Sequence, residues 1–165
     1  MCGLASLFPK SKHFGRYHLK YIDEFATTQV DVLSGAFMML RKSVLDQIGL
    51  LDEQFFMYAE DIDLSYRITQ AGYFNYYYPE CTILHYKGES TKKNSMQYVY
   101  MFYKAMAQFV QKHFFKNCNK FCTSLILCGI WIRAGIAAIR RIVVNGKNCI
   151  IAAYKHLTSK KINQQ

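Results

Sequence analysis

Acidic residues are missing from almost half of this 165-residue chain: all 11 Asp and Glu stand at or before Glu89. Residues 92–165 carry 13 Lys and Arg with no acid among them, whereas residues 1–91 hold 8 against 11. The overall charge of +10 therefore conceals two unlike halves, and the basic one calls for an anionic partner. The six cysteines lack any CxxC pair and any dense small-scaffold spacing, which argues against a zinc ribbon and a disulfide knot and fits reduced thiols. His113, Cys118 and Cys122 match no common metal-ligand spacing, and their apolar neighbours favour inert burial. No basic segment followed by an apolar stretch and a cleavage site opens the chain, so the body is expected in the cytoplasm. Internal repeats and low-complexity tracts are also lacking.

What is present is ample apolar material. At 52% hydrophobic residues, the chain can pack one globular unit with a tail. The basic residues of the tail sit among Leu125, Ile126, Leu127, Ile130, Trp131, Ile132 and Ile136 rather than on a polar platform with stacking aromatics. That setting favours an anionic membrane surface over nucleic acid.

Residues 1–29 read as a loop-rich leading segment. The run Val30 to Leu40 (VDVLSGAFMML) is nearly continuous in apolar character and predicts a strand covered on both faces, with Gly35 marking a close backbone approach. Ser43 to Ile48 predicts a short helix with Val44, Leu45 and Ile48 on one side and Gly49 as its stop. Leu64, Ile68 and Ala71 predict a second helix from about Glu60 to Ala71, opened by acids and closed by Gly72. Asp63 stands four residues before Arg67, an ordinary helical ion pair, and is read as structural. Phe74 to Tyr78 and Thr82 to Leu84 predict an edge strand and its continuation, closed by His85. After the polar stretch Lys87 to Asn94, Asn94 or Ser95 caps a helix with Tyr98, Phe102, Ala105 and Phe109 on its core stripe.

Phe121 to Ile132 is an apolar stretch too short to span a bilayer, and extending it to Ile139 takes in Arg133. Arg133 and Arg140, seven apart, suit a helix lying in the interfacial plane. A helix packed on the domain with a solvated basic face is the equal alternative, a spanning helix the lesser one, and Asn145-Gly146 is expected to end it.

Three features can carry chemistry: the acidic run Glu60-Asp61-Ile62-Asp63 at a helix start, His85 at a strand end, and the Lys- and Gly-containing loop beyond it. Taken singly, acids in a first turn are explained by the helix dipole, and a lone His by packing. Together with Ser34 to Phe37 (SGAF), Gly49 to Glu53 (GLLDE), FFMYAEDIDLSYR, Ala71-Gly72-Tyr73 and Ile83-Leu84-His85 followed by Lys87-Gly88-x-Ser90, they form an ordered set. The stretch Asp31 to Ser90 closely resembles the C-terminal catalytic half of family 2 glycosyltransferases, most of all the bacterial rhamnosyltransferase type.

The resemblance implies an α/β, Rossmann-like GT-A fold and an inverting, metal-dependent transfer. It makes Asp61 of the Glu-Asp motif the general base and His85 a ligand to a divalent metal, Mg or Mn. A carboxylate fixed at a helix start can take the proton of an attacking sugar hydroxyl, and a divalent cation can stabilise the departing diphosphate. Glu60 is then expected to orient Asp61 or contact acceptor hydroxyls, and Lys87, Ser90, Lys92 and Lys93 to close over the diphosphate as a mobile loop. The nucleotide-binding half of such enzymes, with its Asp-x-Asp motif on a strand, is not recognisable before Asp31; Asp61-Ile62-Asp63 matches those letters inside a predicted helix and is read as coincidence.

These readings give a leading segment at 1–29, the acceptor and catalytic half of a GT-A domain at 30–116, and a basic amphipathic tail at 117–165. The expected partners are a nucleotide-diphosphate sugar, a lipid-linked or polysaccharide acceptor, an anionic membrane surface and the missing N-terminal half. Nucleic acid is not expected as a partner. The expected location is cytoplasmic, peripheral to the inner membrane, in cell-envelope polysaccharide synthesis, with the isolated chain an inactive fragment. A non-catalytic membrane-associated interaction module is the competing class.

Overall fold

The backbone N–H groups of the apolar run after Val30 do not go to a neighbouring strand. In the computed structural model, β1 is only Thr28–Val30, and residues 31–41 have no regular structure. The expected strand from Val30 to Leu40 is thus corrected to a short strand followed by a loop. Side chains of a later helix take its donors: Leu33 N–H donates to Ser65 Oγ at 3.2 Å and Gly35 N–H to Asp61 Oδ2 at 2.8 Å. Ser34 to Phe37 closes a turn through Phe37 N–H and Ser34 O at 3.4 Å.

The structure describes residues 21–86, 96–115 and 119–162, with the isolated Ser11 and Leu19, and gives side-chain burial up to Gly146. The elements after β1 are α1 (Lys42–Ile48), α2 (Glu60–Gln70), β2 (Asn75–Tyr77), α3 (Met96–Phe114) and α4 (Lys120–Ile162). The chain divides into two compact units, Met1–Glu53 with Glu60–His85, and Gln54–Ala59 with Tyr86–Gln165.

In the first unit, β1 and β2 pair antiparallel, with Thr28 opposite Tyr77 and Val30 opposite Asn75. Both helices end where glycine permits a positive φ, Gly49 at 82° and Gly72 at 85°. Past α2, Gly72 N–H bonds Thr69 O and Tyr73 N–H bonds Ile68 O, the paired closure that satisfies the last carbonyls. Val44, Leu64 and Ile68 form the core, joined by Met38, Leu40, Leu45, Ile48 and Tyr73. Asn75, 3% exposed, donates to Asp31 O and Ser65 O and so ties the sheet to α2. The expected strand over Thr82 to Leu84 is absent: residues 81–86 are irregular and exposed. Before them, the Tyr78 phenol donates to Glu80 Oε2 at 2.6 Å, and that bond leads the causes that raise the phenol's pKa above its usual value.

Arg67 fastens the two helices. Its Nε donates to Asp63 Oδ2 at 2.8 Å, Nη1 to Ile48 O at 2.7 Å and Gly49 O at 3.3 Å, and Nη2 to Leu50 O at 2.6 Å. The guanidinium thereby occupies carbonyls left unpaired where α1 ends, while Asp63, fully buried, neutralises it.

In the second unit, Phe55, Ala59 and Ala105 pack with Tyr58 and Phe109, and α3 lies against α4. Asn119 caps α4, its Oδ1 accepting Phe121 N–H at 2.9 Å. α4 continues through Asn145 and Gly146 to Ile162, which corrects the expected break. A mid-helix Gly costs about 1 kcal/mol against Ala, and in a helix whose hydrogen bonds continue on both sides that cost does not stop propagation.

Replacing Arg67 by Ala leaves the Asp63 carboxylate buried without its cation, for which a loss of about 3–5 kcal/mol is expected. Urea unfolding of the variant reads it; a loss below about 1 kcal/mol, the range of an exposed pair, contradicts the clamp.

Candidate functional site

Helix α2 begins without a Ser, Thr, Asn or Asp at its cap position, because Ala59 stands there. Asp61 supplies part of that service, its Oδ1 accepting the Ile62 N–H at 2.8 Å, while Oδ2 accepts the Gly35 N–H. Two backbone donors therefore fix the carboxylate, one from its own helix and one from the Ser34 to Phe37 turn. Each oxygen keeps a lone pair unused by these bonds, and no Lys or Arg pairs with Asp61 among the described residues. The side chain is half-buried. Held yet unneutralised, the group can still accept a proton from a hydroxyl brought to it.

Gly35 brings its backbone close to the acid. A Cβ there would stand 3.4 Å from both Asp61 Cβ and Oδ2. The expected close backbone approach at Gly35 is therefore found, and its partner, which the sequence did not indicate, is the acid at position 61. Beside the same turn a groove of about 250 Å³ opens, lined by Leu19, Ile22, Val30, Leu33, Ser34 and Tyr77 among others.

The residues leading into α2 are strained. Tyr58 and Ala59 have φ of 69° and 66°, a left-handed pair without glycine. Each such residue costs about 1–2 kcal/mol relative to glycine, so packing must offset it. Within their unit, Tyr58 meets Tyr98 and Phe102 edge to face at 5.5 and 5.9 Å between ring centroids, and Ala59 is buried beside Phe55 and Ala105. Neither residue type announces a left-handed turn, so sequence reasoning had no signal for it.

Glu60 is half-buried, and its Oε2 is enclosed with no hydrogen-bond partner among the described residues. Asp63 belongs to the Arg67 clamp and offers nothing to a substrate. His85 belongs to the same compact unit as Asp61 and is exposed, with no bonding partner among the described residues. No group of three His, Cys, Asp or Glu side chains converges on a metal position among the described residues, so His85 stands as a single potential ligand. Lys87 and Ser90, with Lys92 and Lys93, lie outside the described residues.

A family model described as "Glycosyltransferase like family 2" matches residues 10–99. An N-acetylglucosaminyl-diphospho-decaprenol L-rhamnosyltransferase of Mycobacterium tuberculosis is 42% identical over 62 residues, 38% of this chain and 20% of that protein. Rhamnosyltransferase WbbL of Escherichia coli is 39% identical over 62 residues, 38% of this chain and 24% of its own length. The low-salt glycan biosynthesis hexosyltransferase Agl10 of Haloferax volcanii is 53% identical over 38 residues, 23% of this chain and 12% of that protein. The chain thus spans about a quarter or less of the length of the curated relatives it matches. No solved structure matches.

The Gly35 to Asp61 bond is directly observable. In Asp61→Ala the Gly35 amide proton loses a charged acceptor and should move upfield in a proton–nitrogen correlation spectrum, while the Asn75 side-chain amide stays in place. An unmoved Gly35 resonance would show that the turn and the acid are not joined.

Proposed function

The chain belongs to glycosyltransferase-like family 2, and we propose that it forms the acceptor-side part of an inverting transferase in which Asp61 is the general base. The observation that carries this reading is the carboxylate held by two backbone N–H groups with no cation on it among the described residues. Asp61 takes the proton from a sugar hydroxyl as that oxygen attacks the anomeric carbon of a nucleotide-diphosphate sugar. The bond to the diphosphate breaks in the same displacement, which inverts the centre. Glu60, with one oxygen enclosed and unpartnered, orients the acceptor or its neighbouring acid.

His85 offers its imidazole to a divalent cation, Mg or Mn, which when bound would supply Lewis-acid stabilisation to the leaving diphosphate. Its remaining ligands would come from phosphate oxygens and from residues beyond those described. Lys87 and Ser90 are proposed to cover the diphosphate.

The proposed acceptor is a lipid-linked or polysaccharide glycan at the cytoplasmic membrane face; of this, the diphospho-decaprenol in the name of the Mycobacterium tuberculosis relative supports the lipid-linked part. Among the described residues the sheet has two strands, and Phe25, Met39 and Leu84 are 80% exposed or more. Exposed apolar side chains of this kind suit a nucleotide-binding half completing a GT-A domain, whether in the same or another polypeptide, without which the chain is proposed to be inactive.

In the enzyme completed with such a half, Asp61→Asn should lower the transfer rate by about 10²–10⁴-fold while donor affinity stays within a few-fold of wild type. Single-turnover kinetics and donor titration separate the two. Turnover near the wild-type rate would remove Asp61 from the mechanism.

A further inference from the structure

Helix α4 carries two stripes on opposite sides. Thr123, Leu127, Ile130, Ala134, Ala137 and Arg141 are buried or half-buried; spaced four and three residues apart, they stay within about 40° of one line along the helix. This is the seam with α3, in which Arg141 lies over the Tyr98 ring at 5.7 Å, with Trp131 against Tyr100 on its flank. Phe121, Leu125, Ile132, Ile136, Ile139 and Val143 are between 46% and 69% exposed, and lie roughly 160–220° around from the seam. Arg133 and Arg140, both exposed, run along one flank between the two stripes.

By length and composition, Lys120–Gly146 is apolar enough to cross a membrane, holding an 18-residue window with a mean hydropathy of 1.8. The packing against α3 argues otherwise. α3 lies along the seam and brings exposed Lys104 and Lys112 with it, so a spanning α4 would draw those ammonium groups towards hydrocarbon. Self-association through the exposed stripe would set the Arg133 and Arg140 rows of two copies near each other, in a segment without a single acid. An anionic bilayer satisfies both features: aliphatic side chains enter the acyl boundary, while arginine stems reach up to lipid phosphates.

We propose that α4 is an in-plane anchor, lying in the interface of an anionic bilayer with its exposed stripe facing the acyl chains and α3 on the water side. Neither the chemistry of Asp61 nor the identity of the donor enters this proposal, so inactivity of the chain leaves it standing.

The test uses the full 165-residue chain and its single tryptophan, Trp131, with vesicles of phosphatidylcholine alone or mixed with phosphatidylglycerol. Binding to the anionic vesicles should exceed binding to the neutral ones at least tenfold, with a blue shift of Trp131 emission. Ile136→Asp with Ile139→Asp, both on the exposed face, should lower that binding tenfold or more while the helical circular dichroism is unchanged. If the double variant loses its helical signal, Arg133→Gln with Arg140→Gln replaces it and should still cut the anionic preference. Lys120→Cys and Asn145→Cys, placed singly in a cysteine-free background, both lie towards the seam side and should both react with an impermeant maleimide added outside. Protection of one of the pair until detergent is added would mean a spanning helix and overturn the proposal. Equal binding to both vesicle types, or a stable dimer that ignores vesicles, would overturn it too.

Discussion

The arrangement of the first unit depends on one guanidinium. Arg67 is neutralised by a fully buried carboxylate four residues before it and gives its other donors to Ile48, Gly49 and Leu50, where α1 has run out of partners. A single side chain therefore both pairs a charge and terminates a neighbouring helix. Buried pairs of this kind add little net stability over an apolar alternative, but they specify one geometry, since removing either member strands the other. The register of α2 against α1 is set here, and Asp61 stands six residues upstream on the same helix.

The candidate site follows from two constraints on the start of α2. From one side, the backbone amide of Gly35 in the SGAF turn donates to the Asp61 carboxylate at 2.8 Å. Along the chain, a left-handed Tyr58–Ala59 pair enters the helix, with its strain offset by aromatic packing inside the second unit. A carboxylate held by amides rather than by a cation keeps its orientation without losing its capacity to take a proton. Asp63, two residues on, shows the contrast: enclosed by Arg67, it is spent on structure.

Several of these features were legible in the residues alone. Gly49 and Gly72 announced the ends of α1 and α2, the i, i+4 spacing announced the Asp63–Arg67 pair, and the apolar faces Val44, Leu45 and Ile48 of α1 and Leu64 and Ile68 of α2 are those that meet in the core, while Ala71, read on the second face, is exposed. The motif order announced the family that the match over residues 10–99 establishes. What escaped were features decided by distant partners. Val30 to Leu40 has the composition of a strand, but two of its donors, those of Gly35 and Leu33, go to Asp61 and Ser65, 26 and 32 residues away, which no local pattern encodes. Thr82 to Leu84 has β-forming residues without a neighbouring strand to pair with among those described. Asn145-Gly146 is a breaker by propensity, and a long helix with hydrogen bonds on either side carries through it.

The central claim is that one amide-held carboxylate deprotonates the acceptor in a single displacement. The stereochemistry of the first-formed glycoside reads this most directly, by proton NMR of the anomeric centre during turnover of the completed enzyme. The account predicts a product whose anomeric configuration is opposite to that of the nucleotide-sugar donor. Retention of the donor's configuration would require a covalent or front-face route and would contradict it.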